Sequence, residues 1–218
     1  MSCELAEFIG AIYGDGNLHI DKNRSYRLTI SLHKDKDCVY AQYLCKQFKK
    51  LFGLTFTPYV YKNKSLLMLR CYSKKLVFFL NTEFNLPVGP KKRLGMPTKL
   101  QASQYALAFI RGLADTDGCV YTRTTSVYTY PVIKITNTNK ALMQQVVEHL
   151  RIIGCNPVFS KRKSQEDHLQ AYDAVLNGKK QCMLYEEFVG TSNPRNKLRG
   201  RRDSNPRSLG DSCHQPLT

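Results

Sequence analysis

Residues 8–16 read Phe-Ile-Gly-Ala-Ile-Tyr-Gly-Asp-Gly, and residues 110–118 read Ile-Arg-Gly-Leu-Ala-Asp-Thr-Asp-Gly. Small residues lie four positions apart in both stretches, so they share one face of a helix. Such a face lets two helix backbones approach closely, which would offset the roughly 1 kcal/mol that a mid-helix glycine costs relative to alanine. The two stretches are therefore predicted to pack as a helix pair that places Asp15 beside Asp117 at one end.

The same succession of elements follows both stretches. Apolar and polar residues alternate over 26–33 and again over 132–136, which predicts half-buried strands. An amphipathic helix follows in each half and is predicted to end at Gly53 or at Gly154. Further strands are predicted over 57–61, 66–72, 158–162 and 169–176, and final helices over 74–84 and 179–188. Duplication of one unit is the economical explanation.

This repetition defines a domain organisation. Proline, glycine and lysine are concentrated between the two copies, and the end of the chain is rich in Arg, Asn, Pro, Ser and Gly with little apolar content. We expect an N-terminal half over 1–86, a linker over 87–103, a C-terminal half over 104–198 and a basic, disordered tail over 199–218.

The chain is strongly basic: 33 Lys and Arg against 17 Asp and Glu among 218 residues give a formal charge of +16. Such an excess favours a polyanionic partner, most simply nucleic acid. The lack of an apolar run of about 18 residues argues against a helix pair within a membrane. A membrane surface is the rival polyanion, but no basic amphipathic helix stands out, and eight cysteines without a Cys-x-x-Cys motif argue against a zinc finger. We expect an intracellular, soluble protein, cytoplasmic if the host is prokaryotic.

One face of each predicted sheet carries cations, aromatic rings and hydroxyls. Arg and Lys can grip phosphates or guanine edges, and a two-stranded ribbon fits the major groove of duplex DNA. The alternative is an ordinary solvated sheet face. The candidate DNA-binding residues are Arg27, Thr29, Ser31, His33, Tyr59, Tyr61, Arg70 and Tyr72 in the first half and Tyr121, Arg123, Lys134, Thr136 and Arg162 in the second.

The two stretches resemble the motifs of LAGLIDADG homing endonucleases, in the single-chain form with two pseudo-symmetric copies. The last acid of that motif falls on Asp15 and on Asp117, and the resemblance spans about residues 4–200. It implies an α+β fold of two αββαββα halves with a β-saddle over double-stranded DNA. It further implies a monomeric, intron-encoded enzyme that uses Mg²⁺ or Mn²⁺ to cut both strands at a long asymmetric site.

The resemblance also suggests roles for residues around the two acids. Asp15 and Asp117 would be metal ligands, with the backbone carbonyls of Gly14 and Thr116 as further ligands, because a cation would relieve the repulsion of the paired carboxylates. The family keeps a basic residue near each centre, and Lys92 and Lys197 stand at the matching places. Solvated lysines without such a role are the alternative.

The sequence departs from the family pattern in the first copy. Tyr13 stands where the family usually has its first acid, and Leu32 stands where a polar, water-positioning residue is usual. The second copy has Asn137 at the latter place. We therefore expect the two centres to differ in strength and to cut the two strands unequally.

Two other functions share this scaffold. An RNA maturase that assists intron splicing, with reduced or no DNA cleavage, can keep both acids, so the sequence leaves it open. A DNA-binding regulator has no need of paired acids, so Asp15 and Asp117 count against it.

Overall fold

The computed structural model describes residues 1–21, 25–61, 64–162 and 169–198, and each half has the element order αββαββα. The first half consists of α1 (Cys3–Asp15), β1 (Gly16–Ile20), β2 (Tyr26–His33), α2 (Cys38–Phe52), β3 (Thr57–Val60), β4 (Leu66–Tyr72) and α3 (Lys74–Phe84). The second half consists of α4 (Ser103–Asp117), β5 (Gly118–Thr124), β6 (Thr129–Asn137), α5 (Lys140–Ile152), β7 (Val158–Lys161), β8 (Tyr172–Asn177) and α6 (Lys179–Phe188). The predicted α+β duplication is confirmed, whereas the expected tail over 199–218 lies outside the described residues.

Each half contains a four-stranded antiparallel sheet. The strand orders are β1-β2-β4-β3 and β5-β6-β8-β7, and equivalent residues pair in both, since Gly16 faces Ile30 and Gly118 faces Ile135. Alternate residues of the central strands, such as Leu28 and Ile30, are completely buried against the helices. The helices therefore cover the apolar face of each sheet, and the opposite face carries the polar residues.

The two halves meet along α1 and α4, whose backbones are in direct contact. A Cβ added to Gly10 would lie 2.0 Å from the carbonyl oxygen of Phe109, and one added to Gly112 would lie 1.9 Å from that of Glu7. Only glycine fits at these two positions, because the neighbouring atoms belong to backbone. The predicted close packing of the two small-residue faces is thus present in the structure.

The segment that follows the last helix of each half reaches the opposite half. The amide of Leu94, after α3, donates to Asn139 Oδ1 of the second half at 2.9 Å. The side-chain amide of Asn193, after α6, donates to Asp37 Oδ1 of the first half at 3.0 Å. Asp37 and Asn139 directly precede α2 and α5, so each half holds the other at an equivalent place.

Within the described part of the chain, none of the helices has the combination of length and apolarity needed to cross a bilayer.

Candidate active site

Asp15 and Asp117 are the last residues of α1 and α4 and lie at the same end of the helix pair. A Cβ on Gly14 would be 3.2 Å from Asp117 Cγ, so the carboxyl group of Asp117 borders the backbone immediately before Asp15. Helix C-termini carry partial negative charge. Two carboxylates at this end are unfavourable unless a cation compensates them, which is typical of a functional site rather than of a structural turn.

Burial raises the pKa of both carboxyl groups. The pKa of Asp15 rises to about 7, first through desolvation and next through the charge of Asp117. Desolvation raises the pKa of Asp117 to about 6, against the opposing effects of a hydrogen bond from Asn137 and the charge of Lys91. The two acids therefore hold their protons more tightly than exposed aspartates, and a nearby cation would favour their charged forms.

Lys91 supplies a cation at this place. Its ammonium Nζ donates to the carbonyl oxygens of Ile12 at 3.1 Å and Tyr13 at 2.7 Å, and also to that of Gly14. Burial lowers the pKa of Lys91, while Asp117 and Asp15 act in the opposite direction. The basic residue was predicted one position later, at Lys92, but Lys92 is exposed and Lys91 is the lysine beside the acids.

At the C-terminal end of α4, side-chain amides rather than an ammonium group donate to the backbone carbonyls. Asn193 Nδ2 donates to the carbonyl oxygen of Asp115 at 3.0 Å, and Asn196 Nδ2 donates to that of Ala114 at 3.1 Å. The nearby guanidinium of Arg195 bonds Asp37 Oδ2 at 3.1 Å and lowers the pKa of Asp15. Lys197, the basic residue expected at this centre, is exposed.

Asn137 contacts one of the two acids directly. Its Nδ2 donates to Asp117 Oδ2 at 2.6 Å, while its Oδ1 accepts from the backbone and side-chain amides of Asn139 at 2.9 and 3.0 Å. In the first half, strand register puts Leu32 at the equivalent position, and Leu32 is buried. The two acids therefore have different surroundings: the amide that orients Asp117 has an apolar counterpart beside Asp15.

The residues at the first-acid positions anchor the chain rather than face the centre. The hydroxyl of Tyr13 donates to the carbonyl oxygen of Phe84 at 2.6 Å. Asp115 accepts from the hydroxyl of Thr191 and from the amide of Ser192, the latter at 2.8 Å. Each residue thus holds the end of the last helix of its own half or the segment after it, and a phenol serves this purpose as well as a carboxylate.

The donor set suits a hard divalent cation. Two carboxylates lie side by side, and the Gly14 carbonyl, one of the proposed ligands, already accepts from a cationic group. Thr116 has its hydroxyl directed back into α4, to the carbonyl of Leu113 at 3.0 Å, which leaves only its carbonyl as a candidate ligand. Among the described residues, no group of three or more His, Cys, Asp or Glu could hold a metal. Mg²⁺ commonly binds through one or two carboxylates, water and a substrate phosphate, so the protein groups present fit it.

The predicted DNA-binding residues of the first half lie on the face of the sheet opposite the helices, where Thr29, at 7% exposed, is buried beneath its neighbours. Arg27 pairs with Tyr72, and Thr29 pairs with Arg70, so their side chains point the same way. The guanidinium carbon Cζ of Arg70 lies 4.2 Å from the ring centre of Tyr59, and its Nη2 donates to the Tyr61 hydroxyl at 3.2 Å. The same parity puts Ser31 and His33 on this face.

Two further polar residues on this face were missed. Asn17 and His19 lie on β1 opposite Thr29 and Arg27. The five-residue strand β1 is too short to give a clear alternation in sequence, and its polar residues on the open face could be found only from the pairing register.

The second half is arranged in the same way. Strand parity places the predicted residues Tyr121, Arg123, Lys134 and Thr136 on the open face, with Arg162 at the end of the same sheet. Arg123 donates to the Tyr121 hydroxyl at 3.3 Å. Thr136 donates to Asp173 Oδ1 at 2.7 Å, so its hydroxyl hydrogen is already used within the protein.

Comparison with known proteins identifies this architecture. Residues 104–188 match the family model described as a LAGLIDADG-like domain. The fold is similar to a structure of the homing endonuclease I-DmoI from a study of mesophilic variants, with a TM-score of 0.59 at 17% identity over 86% of this chain and 95% of that chain. For the I-LtrWI LAGLIDADG homing endonuclease bound to target DNA, the TM-score is 0.58 at 12% identity over 88% of this chain and 86% of that chain.

A further similar structure is the N-terminal LAGLIDADG domain of DUF199/WhiA, with a TM-score of 0.56 at 15% identity over 93% of this chain and 86% of that chain. No curated protein sequence matches significantly. At these identities, the structural matches establish a shared fold.

Proposed function

We propose that this chain is a LAGLIDADG-type site-specific DNA endonuclease that hydrolyses one phosphodiester bond in each strand with a divalent metal ion; the match of residues 104–188 to a LAGLIDADG-like domain and the shared fold support this. The observation that carries this proposal is the pair of half-buried acids, Asp15 and Asp117, at the end of the α1–α4 helix pair between two open sheet faces. Similar structures of I-DmoI in complex with DNA and Mn, and with DNA and Ca, support a DNA substrate and a divalent cation.

The open faces of the two sheets would bind the DNA. Arg27 and Arg70 in one half and Arg123 and Lys134 in the other would neutralise phosphates or donate to guanine edges. Because the halves are related by pseudo-symmetry but carry different side chains on these faces, the preferred duplex would be asymmetric in sequence.

At the centre, Asp15, Asp117 and the Gly14 carbonyl would hold Mg²⁺ or Mn²⁺. The metal, when bound, would activate water and stabilise the leaving oxygen. Asn137 would fix the orientation of the Asp117 carboxylate through its 2.6 Å hydrogen bond. Lys91, whose ammonium lies among the carbonyls at the end of α1, would stabilise negative charge on the scissile phosphate.

The two strands would be cut at different rates. Asn137 orients one acid, whereas buried Leu32 at the equivalent position offers no hydrogen bond to the other. Replacing Asn137 with Leu would make the two centres alike at this position, and we expect that variant to lose most of the rate difference between strands.

The decisive experiment is selection from a pool of duplexes with a randomised central region. The purified chain is incubated with the pool in Mg²⁺ or Mn²⁺, and cleaved molecules are recovered and sequenced. We expect one long asymmetric sequence to be enriched. Asp117→Asn and Asp15→Asn should each abolish double-strand cutting of that duplex while leaving its binding intact.

The matched control is Glu187→Gln, which makes the same change from carboxylate to amide on the exposed side of α6 and should cut normally. Full cutting by either aspartate variant would refute the assignment of the acids. A chain that binds the RNA of its own intron tightly and never cuts duplex DNA would instead be a maturase.

A further inference from the structure

The hairpin that joins β5 to β6 presents apolar side chains to solvent at its tip. Val127 is 83% exposed and Tyr128 is 63% exposed. Single exposed apolar residues are common on protein surfaces, but two adjacent ones at the end of a protruding ribbon indicate a contact surface.

This tip has a defined conformation. Thr125 Oγ1 accepts from the amide of Tyr128 at 3.1 Å and donates to its carbonyl oxygen at 2.9 Å. The amide of Thr125 also donates to the carbonyl of Tyr128 at 2.9 Å. The ring of Tyr128 lies 5.5 Å from that of Tyr130. The backbone that carries the exposed ring is therefore fixed by hydrogen bonds before any partner arrives, which limits the entropy that binding would cost.

The tip continues the open face of the sheet. Tyr130 pairs with Arg123, and the same parity leads along the ribbon to Tyr121 and Lys134. Arg123 is hydrogen-bonded to both Tyr121 and Tyr130. A partner bound at the tip would thus contact a row of cations and phenols as well as apolar side chains. This combination suits the bases and phosphates of a nucleic acid better than an apolar protein surface.

The corresponding segment of the first half differs in composition. Residues 22–24, between β1 and β2, lie outside the described residues, and their sequence is Lys-Asn-Arg. This sequence supplies charge and hydrogen-bonding groups but no apolar side chain. The two connections are therefore unlike in chemistry, although the sheets that they belong to have the same topology.

We infer that Tyr128 and Val127 form an apolar wedge that contacts unstacked bases at one end of the bound DNA duplex, with Tyr128 stacking on a base. The inference rests on the proposed function and adds a way to select sequence there. Apolar wedges open base steps at a cost that depends on the step, and pyrimidine–purine steps open most easily. The wedge would accordingly favour a deformable step at one end of the site, and only at the end bound by the second half.

The chain contains no tryptophan, so Tyr128→Trp introduces a single fluorescent reporter at the tip. The probe is the duplex recovered from the randomised pool, with a fluorescent label whose anisotropy measures binding independently. Stacking on a base should quench the tryptophan emission. The matched control is Ile152→Trp, at a 69% exposed apolar position at the end of α5, on the helical side of the same half, whose emission should stay unchanged.

A second variant measures the energetic contribution. Val127→Ser combined with Tyr128→Ser should weaken binding by about 5- to 150-fold, the range expected for loss of one stacked base. The salt dependence should remain the same, because no cation is removed. If anisotropy reports binding but the emission of the Tyr128→Trp variant does not change, or if the double variant binds as tightly as the original chain, the wedge is refuted and the proposed function stands. If the unaltered chain binds no duplex, both proposals fail.

Discussion

Replacing Asp15 with Asn is predicted to stabilise the metal-free protein at alkaline pH. Burial and the charge of Asp117 raise the pKa of Asp15 from 3.8 to about 7. Between these two values the folded state binds more protons than the unfolded state, so the free energy of unfolding falls as the pH rises. Three pH units at about 1.36 kcal/mol each give an upper bound of about 4 kcal/mol. Since Lys91 would lose one of its two carboxylate neighbours, we expect a gain of about 2 to 4 kcal/mol at pH 8.

The assay is urea unfolding of both proteins in EDTA at pH 4 and at pH 8. The original chain should lose stability between these pH values, and Asp15→Asn should lose less, with the difference appearing at pH 8. Glu187→Gln, an exposed change of the same kind, controls for the change in net charge. A variant that is less stable than the original chain at pH 8, or that has the same pH dependence, would show that the acid pair is not destabilising and would remove the electrostatic reason for a cation at this site.

Three further predictions concern the contact between α1 and α4, the choice between Lys91 and Lys92, and the salt dependence of DNA binding. Gly112→Ala should lower the free energy of unfolding by about 2 to 3 kcal/mol, because its Cβ would lie 1.9 Å from the Glu7 carbonyl, whereas Lys46→Ala on the exposed side of α2 should change chemical unfolding little. Lys91→Met should greatly reduce cleavage of the selected duplex and Lys92→Met should not; the opposite result in a cleavage assay would restore Lys92 as the basic residue of the centre. Binding of that duplex should weaken steeply with salt, with a slope of about −5 in a log–log plot if about six phosphates are neutralised, and a flat dependence would contradict the proposed grip on phosphates.

The sequence predicted the elements whose signals are local or repeated. The alternation in β2 gave the strand with its observed bounds, and the glycines of α1 and α4 gave the seam, since nothing but close backbone packing compensates for glycine in the middle of a helix. The acid pair followed from the same repetition. These inferences needed only side-chain type and spacing.

The parts that could not be predicted depend on contacts between distant segments. Lys91, Lys92 and Arg93 are adjacent cations, and which of them reaches the end of α1 is decided by the path of the linker, anchored by the amide of Gly89 to the carbonyl of Leu18 at 2.8 Å. The contact of Arg195 with Asp37 joins residues 158 positions apart. The residue pattern around Lys91 or Arg195 does not predict which distant residue each one contacts.

The two copies can diverge less along the contact between α1 and α4, the seam, than around Asp15 and Asp117, the two centres. The reason is geometric. Along the seam each helix is the other's neighbour, so a bulky residue on either one separates both backbones, and the small residues must recur in both copies. The residues that differ between the two centres bond within their own half, as Tyr13 does to Phe84, Asp115 to Ser192 and Asn137 to Asp117. A substitution there requires adjustment of one partner only. A duplicated chain is therefore free to diverge at Leu32 and Asn137 while it keeps the glycines that bring Asp15 and Asp117 together. Under the proposed function, the same freedom would allow its two sheets to fit the unlike halves of an asymmetric DNA site.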